Sequence, residues 1–449
     1  MKNNLQSFSA QNNKIFKPLL FTYILLVSFA PALQAQPGTV DNSFGNIGKV
    51  ITENGVPYCT ALQNDGKIIA GGFTVEGNLG MMLARYDSNG NVDSSFGVDG
   101  KVVTNLTTEY QFYNAVARVI IIQADGKIIT IGNGYRKVTG SDFGIDNDVL
   151  LVRYNSDGSL DNSFGNNGVV ISDFGDEDEI AYAAALQTDG KIVVGGSSDQ
   201  SWLVVRYLPN GNLDAAFNDD GWIRTTYNGF DHVYSIAVQP DGKIIAAGKT
   251  GITLDNDKFI LVRYLTDGTP DASFGNNGSV ITNFGSAGDE IRSIVLQPDG
   301  KIIAAGKTGN KLAYGGDIAV ARYQTNGLID SSFGVNGKVT TVVGTRSSET
   351  RTALLQTDGQ IIIAGNNFNT NGEGAPSDFV IVRYNKDGAL NDHFGENGIV
   401  ITDINGSDIA YDALLQPDGK IVVVGQTEPV NFVLVRYNGD VEDSQNLQG

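Results

Sequence analysis

The sequence predicts an all-β fold, a seven-bladed β-propeller with about four antiparallel strands per blade, and three observations carry that prediction. An Asp-Gly preceded by Gln recurs seven times, its glycines at Gly66, Gly126, Gly190, Gly242, Gly300, Gly359 and Gly419, separated by 60, 64, 52, 58, 59 and 60 residues. The runs between these marks are short, β-branched and bounded by Gly, Asn, Asp or Pro, which reads as strands. Self-similarity at this period, built from such runs, is what a propeller blade produces.

Each repeat supplies four strands and four connections. Gly278-Ser279-Val280-Ile281-Thr282 is the first strand, Ser293-Ile294-Val295-Leu296-Gln297 the second, Lys301-Ile302-Ile303-Ala304-Ala305-Gly306 the third, and Ile260-Leu261-Val262-Arg263-Tyr264 stands for the fourth. The Gln-Pro-Asp-Gly-Lys between the second and third closes a tight hairpin. Pro presets one turn dihedral, Asp bonds its own backbone, and Gly takes a positive φ. Two stretches keep their length in every copy: seven residues from the Asp of Asp-Gly to the Gly ending the next apolar run (Asp241 to Gly248), and eleven from the Arg of Arg-Tyr to the next Phe (Arg263 to Phe274). Two vary: Phe to Asp-Gly runs from 21 (Phe44 to Asp65) to 29 (Phe96 to Asp125), and the run-ending Gly to Arg from 10 (Gly196 to Arg206) to 21 (Gly132 to Arg153). Because antiparallel connections alternate between the two ends of a blade, both variable loops are expected on one face and both constant ones on the other. Loops that tolerate length change are where a rigid scaffold carries binding residues.

The ends of the chain read differently. Lys2, Lys14 and Lys17 precede an apolar stretch from Leu19 to Ala30 and small residues at Pro31 to Ala35, so residues 1–35 are expected to be a secretory signal peptide. The apolar stretch is too short to span a bilayer as a helix, and no Cys follows the cleavage position for a lipid anchor. Residues 36–437 form the propeller, and 438–449 a short polar tail expected to be disordered. Localisation is then periplasmic or extracellular, and the protein monomeric. The chain carries a formal net charge of −19; losing the three Lys of the signal makes it more acidic still. Nucleic acid and anionic membrane are poor partners for that surface. Cys59, the one cysteine, excludes an internal disulfide and reads as a small buried residue.

Three patterns together carry a family resemblance. Leu160-Asp161-Asn162-Ser163-Phe164-Gly165-Asn166-Asn167-Gly168, Leu186-Gln187-Thr188-Asp189-Gly190-Lys191-Ile192 and Arg153-Tyr154-Asn155-Ser156-Asp157-Gly158 resemble the delta-60 repeat of bacterial β-propellers, and the resemblance extends over residues 41–437. It implies a propeller in an exported or surface protein and carries no catalytic residues. Ala216-Phe217-Asn218, His393 and Gln360 depart from the repeat, and their blades are expected to be irregular.

Candidate chemistry is sparse. The Arg-Tyr pair recurs at Arg85, Arg153, Arg206, Arg263, Arg322, Arg383 and Arg436. Neighbours in a strand face opposite ways, so a structural role is expected, with Arg bonded in bidentate fashion to an Asp of the next connector such as Asp271 or Asp330. The connectors, for example Asp87-Ser88-Asn89-Gly90-Asn91-Val92-Asp93, space oxygens as calcium loops do but lack the closing Glu, which reads as Asx turns. On the variable face, Glu179, Asp231, Asp289 and Asp408 stand eight residues before a Gln, and Asp148, Asp317 and Asp378 five before an Arg. They form either a carboxylate rim that collects divalent or organic cations, or a set of turn caps. Trp202 and Tyr227, with Tyr110, Phe112, Tyr113, Tyr135, Tyr182, Phe230, Tyr234 and Tyr411, enrich the same loops and could stack on sugars. The only histidines, His232 and His393, fall at opposite ends of their blades, so a histidine-centred catalytic site is not supported. The function expected is a scaffold that binds protein or glycan on the variable face without catalysis. A calcium-stabilised structural or adhesive module and a carboxylate-dependent glycoside-active enzyme are the alternatives.

Overall fold

The computed structural model describes residues 35–75, 80–106, 112–137, 145–175, 178–252, 256–285, 288–309, 316–344, 347–368 and 376–440. Residues 1–34, which hold nearly all of the expected signal peptide, lie outside the described residues, as do 441–449, Tyr110, Asp176 and Glu177. Every regular element among the described residues is a strand. Twenty-eight of them, β1 to β28 in chain order, make seven four-stranded antiparallel sheets. No helix among them is long and apolar enough to cross a membrane.

The first sheet runs β2 (Gly55–Leu62), β3 (Ile68–Thr74), β4 (Met81–Tyr86), β5 (Lys101–Thr104), in chain order. The Asp-Gly hairpin joins β2 to β3, and Gly66 and its six counterparts hold φ between 81° and 84°, the positive value the sequence requires of them. The opening strands of the sheets, β2, β6 (Phe112–Ile122), β10 (Glu179–Leu186), β14 (His232–Val238), β18 (Glu290–Leu296), β22 (Ser347–Leu355) and β26 (Ile409–Leu415), all line one cavity and are therefore innermost. The strand that opens the sequence repeat, Gly-x-Val-x-Thr, is the outermost strand of the preceding blade. That assignment, open at the level of sequence, decides how the ring closes. The seventh blade is β26, β27 (Ile421–Thr427) and β28 (Asn431–Tyr437), completed on its outer edge by β1 (Lys49–Glu53), with Lys49 opposite Val435 and Glu53 opposite Asn431.

The hydrophobic core lies between blades. Seven buried clusters each draw on two adjacent sheets, and each holds the Phe of a connector, from Phe-Gly in six and Phe217-Asn218 in one, with one Tyr of an Arg-Tyr, such as Phe96 with Tyr154 or Phe274 with Tyr323. The middle strands are covered on both faces, so they read as continuous apolar runs rather than alternating ones; all seven residues of Ile244–Thr250 are buried. The outer strands, such as Ser279–Thr282, are only partly covered.

Candidate functional site

The repeated Arg-Tyr pair is a two-way stitch between blades. In six of the seven pairs the Tyr hydroxyl reaches back to the outer strand of the preceding blade, as Tyr86 to Thr52 at 2.6 Å, Tyr323 to Thr282 at 2.8 Å and Tyr437 to Thr402 at 2.9 Å, while the buried Tyr264 hydroxyl makes no such bond. The adjacent Arg points to the opposite side and forward. Arg322 gives Nε to Asp330 at 2.7 Å, one terminal nitrogen to the Ser332 hydroxyl at 2.9 Å and the other to the Lys386 carbonyl of the next blade at 2.6 Å, with Phe333 beneath its plane at 4.8 Å. The expected structural role is therefore correct in kind but not in detail. The guanidinium is divided among a carboxylate, a hydroxyl and an inter-blade carbonyl, and is not bidentate on one Asp. Lys301 adds a second cation to Asp330 at 3.2 Å. Burial opposes ionisation of that carboxyl, but hydrogen bonds from Ser332 and Lys301 bring it down to about 2. The connectors are Asx turns; Asp157 Oδ1, for instance, accepts from the Ser159 N–H at 2.9 Å.

One blade is built differently. Where six blades pair Lys with Asp, the sixth has Gln360 and Asn391, bonded to each other at 2.6 Å. Arg383 therefore lacks its usual carboxylate, and Asp440 supplies one at 2.8 Å. The sequence places Asp440 in a disordered tail, yet residues 438–440 pack on the ring: Asn438 N–H donates to the Thr39 carbonyl at 2.8 Å. Pro37 likewise accepts from Gly395 N–H at 2.9 Å, where the other blades use a carbonyl in the next blade's connector, such as Asn210 for Gly165. Two chain ends thus replace the connector that the split seventh repeat lacks. The Ala216-Phe217-Asn218 blade keeps the Arg half of the stitch, with Arg206 to Asp214 at 2.7 Å, but the Tyr264 hydroxyl of the next blade makes no bond back to its outer strand.

A second ring lines the axis, and the sequence reading missed it. Each innermost strand carries a β-bulge at the same point, between Pro57 and Cys59, Ala117 and Val119, and so on. The extra residues are Tyr58, Arg118, Tyr182, Tyr234, Arg292, Arg351 and Tyr411, and all seven line the cavity. Each stands five residues before the Gln of its Asp-Gly hairpin, a register that aligns once the repeats are stacked. The bulge also explains the glycine that ends every third-strand run. A Cβ at Gly72, Gly132, Gly196, Gly248, Gly306, Gly365 or Gly425 would overlap the carbonyl oxygen of Val56, Val116, Ile180, His232, Glu290, Glu349 or Ile409, because the bulged backbone presses against it.

Neighbours in this inner ring touch all the way round. Arg118 lies over Tyr58 at 5.2 Å and over Tyr182 at 5.4 Å, Tyr182 meets Tyr234 edge-on at 5.1 Å, and Arg292 lies over Tyr234 at 4.3 Å. Glu349 joins Arg292 to Arg351, each at 3.1 Å. Arg351 lies over Tyr411 at 5.6 Å, and Tyr411 meets Tyr58 at 4.7 Å. Tyr182, Tyr234 and Tyr411, expected beside the variable loops, thus belong to the channel.

The carboxylates of the variable face are not an open rim. Glu179, Asp231, Asp289, Asp408 and Asp148 have no exposed surface, Asp378 is buried and Asp317 half-buried. Four of them cap the inter-blade turn just ahead of them: Asp289 accepts from Phe284 N–H at 2.8 Å, Asp408 from Ile404 at 2.6 Å, Asp231 from Tyr227 at 2.6 Å, and Glu179 from Phe174 at 3.4 Å. Burial pushes Glu179 up to about 7 and, against the Arg136 guanidinium, Asp148 up to about 6; it also raises Asp317. The fold brings two members of the sequence sets together twice, each time with a third acid: Asp148 and Glu179 with exposed Asp173, and Asp378 and Asp408 with exposed Asp403, one oxygen from each within 4.8 Å of the others. In the first triad Arg136 already bonds Asp148 at 2.9 Å and Asp173 at 3.3 Å, and it also holds the neighbouring Asp146 at 2.8 Å.

Trp202 does not reach the surface. It is wholly buried in the core between the third and fourth blades, with Tyr227 packed edge-on at 5.8 Å, because its strand is covered on both faces. His232 stacks on Tyr234 at 5.6 Å, while His393 stands exposed on a connector of the other face. Cys59 is buried, and burial raises its thiol well above the ordinary value, as suits an inert packing residue.

Blades copied from one repeat, stitched at the outer edge and ringed at the axis, define a one-repeat β-propeller. The chain belongs to the family described as "Domain of unknown function (DUF5122) beta-propeller", whose model matches residues 63–96, 123–164, 187–217, 239–274, 297–333, 356–394 and 416–440. No curated protein matches the chain. Among solved structures it is similar to the virginiamycin B lyase of Staphylococcus aureus, at 10% identity over 86% of this chain and 98% of that one, TM-score 0.47. It is also similar to a protein of unknown function from Dyadobacter fermentans, at 10% over 88% and 98%, TM-score 0.48, and to YCF48 bound to D1 peptide, at 12% over 90% and 100%, TM-score 0.46. Likeness at this level carries no argument about activity.

Proposed function

We propose that the protein is an exported scaffold of the delta-60 type that binds a protein or glycan partner on the face bearing its variable loops. One observation carries this reading: one face is locked by a repeated stitch and constant turns, while the opposite face collects every connection whose length changes between repeats. A rigid ring with one variable face is how repeat proteins present binding surfaces. Deleting residues 138–144 and 369–375, which lengthen two of those loops in the sequence, should abolish binding to ligands found on glycan and protein arrays while the melting temperature stays close to the parent. Unchanged binding by the deleted variants would sink the reading.

A calcium-stabilised module is the second reading, supported by the two acid triads. Calcium takes six to eight oxygens, many from carboxylates, and a ligand bound only by the folded state stabilises it by mass action. Melting with EDTA and with millimolar calcium tests it, with Asp403→Asn as the control that should remove any calcium-dependent rise. Hydrolysis by paired acids has less support, since four of these carboxyls already cap backbone N–H groups.

A further inference from the structure

We infer that the axial cavity is a binding site for a small organic acid, held by its oxyanion group between Arg118 and the Arg292–Arg351 pair. The cavity measures about 270 Å³, about nine times the volume a water molecule takes in the liquid, and so fits a compact ligand. Three of the seven residues at the bulge position are arginines, in a chain whose net charge is −19. Counting round the ring, Arg118 stands on the second blade and Arg292 and Arg351 on the fifth and sixth, so the cations face each other across the axis.

These guanidiniums differ in what already holds them. Arg292 is bound by Glu290 at 2.6 Å and shares Glu349 with Arg351. Arg351 Nε is nonetheless buried without an acceptor. Among the described residues no carboxylate pairs with Arg118; its Nε donates to Asn133 Oδ1 at 2.9 Å, and Tyr58 and Tyr182 flank its plane. Asn133 is itself fully buried and tied to Asn147 at 2.8 Å, which in turn bonds Asp178 at 2.7 Å. A guanidinium held in place by a neutral amide, with its terminal donors uncommitted, is suited to a planar carboxylate or a phosphate. Asp412, an acid in the cavity wall, is turned to backbone: it accepts from Thr60 N–H at 2.9 Å and from Ala413 N–H at 2.8 Å.

Titration calorimetry of the purified protein with citrate, with inorganic phosphate and with glucose tests the site. Saturable binding of citrate or phosphate at millimolar concentration, with none of glucose, is expected, and Arg118→Gln should weaken it by about tenfold or more. No binding of either anion, or equal binding by R118Q, would overturn the proposal. Should R118Q melt well below the parent, Arg118→Lys decides instead, because it keeps the charge and loses the fork: weakened binding supports the site, unchanged binding removes it.

Discussion

The molecule contains two rings of seven side chains, and they follow opposite rules. At the outer edge the same residue, Arg, fills all seven positions. Each has nearly the same partners, and the one blade that lost its acid receives Asp440 instead. At the axis the positions are just as regular in the backbone, set by seven bulges, yet they hold four Tyr and three Arg in no repeating order. Identity across repeats marks what every blade interface needs. Regular placement with irregular chemistry marks a position where the backbone is required and the side chain is free to differ.

The largest effect is expected from breaking the outer ring. Arg263→Ala leaves buried Asp271 with Lys243 as its one cation beside the Ser273 hydrogen bonds, and loss of one partner of such a pair costs up to about 3–5 kcal/mol. Chemical denaturation should show it, while Arg118→Gln at the axis should cost under about 1 kcal/mol. Next is the support of the inner ring. Gly306→Val drives a side chain into the Glu290 carbonyl and should cost about 1–3 kcal/mol or more, read as a lower denaturation midpoint.

Acid separates the outer ring from the capped turns of the variable face without mutation. Asp93, lowered to about 2 chiefly by the Ser95 hydroxyl, and Asp330, also at about 2, hold less proton folded than unfolded. Their contribution is present above the ordinary carboxyl range and lost as pH falls from about 4 towards 2. Glu179, raised to about 7 by burial, acts with the other sign, its contribution fading as pH rises from about 4.5 to 7. Thermal melts across pH should therefore peak between about 4 and 5, and a curve still rising to pH 8 would contradict this assignment. The smallest effect is Asp440→Asn. Its carboxylate is partly exposed, so weakening its pair with Arg383 should cost about 1 kcal/mol or less, detectable as a small drop in melting temperature that the same change at exposed Asp392 does not produce.

Much of this was legible in the sequence because it repeats. Seven Asp-Gly hairpins at near-constant spacing specify seven blades, since a turn that needs positive φ at Gly and short apolar runs on either side admit little else. The Arg-Tyr stitch was visible as a structural device through the alternation of side chains along a strand. What the sequence could not supply is which strand lies innermost, because hydrogen bonding between strands is set across the sheet and not along the chain. Without it, the residues five before each Gln are only a column of Tyr and Arg. The bulge that turns them to the axis, and the glycine that makes room for it, exist only when two strands pair. The same limit hid the burial of Trp202 and Glu179, whose strands are exposed or covered according to the neighbouring blade. Local turn chemistry determined the repeat; packing between repeats decided which side chains face the axis, the core and the solvent.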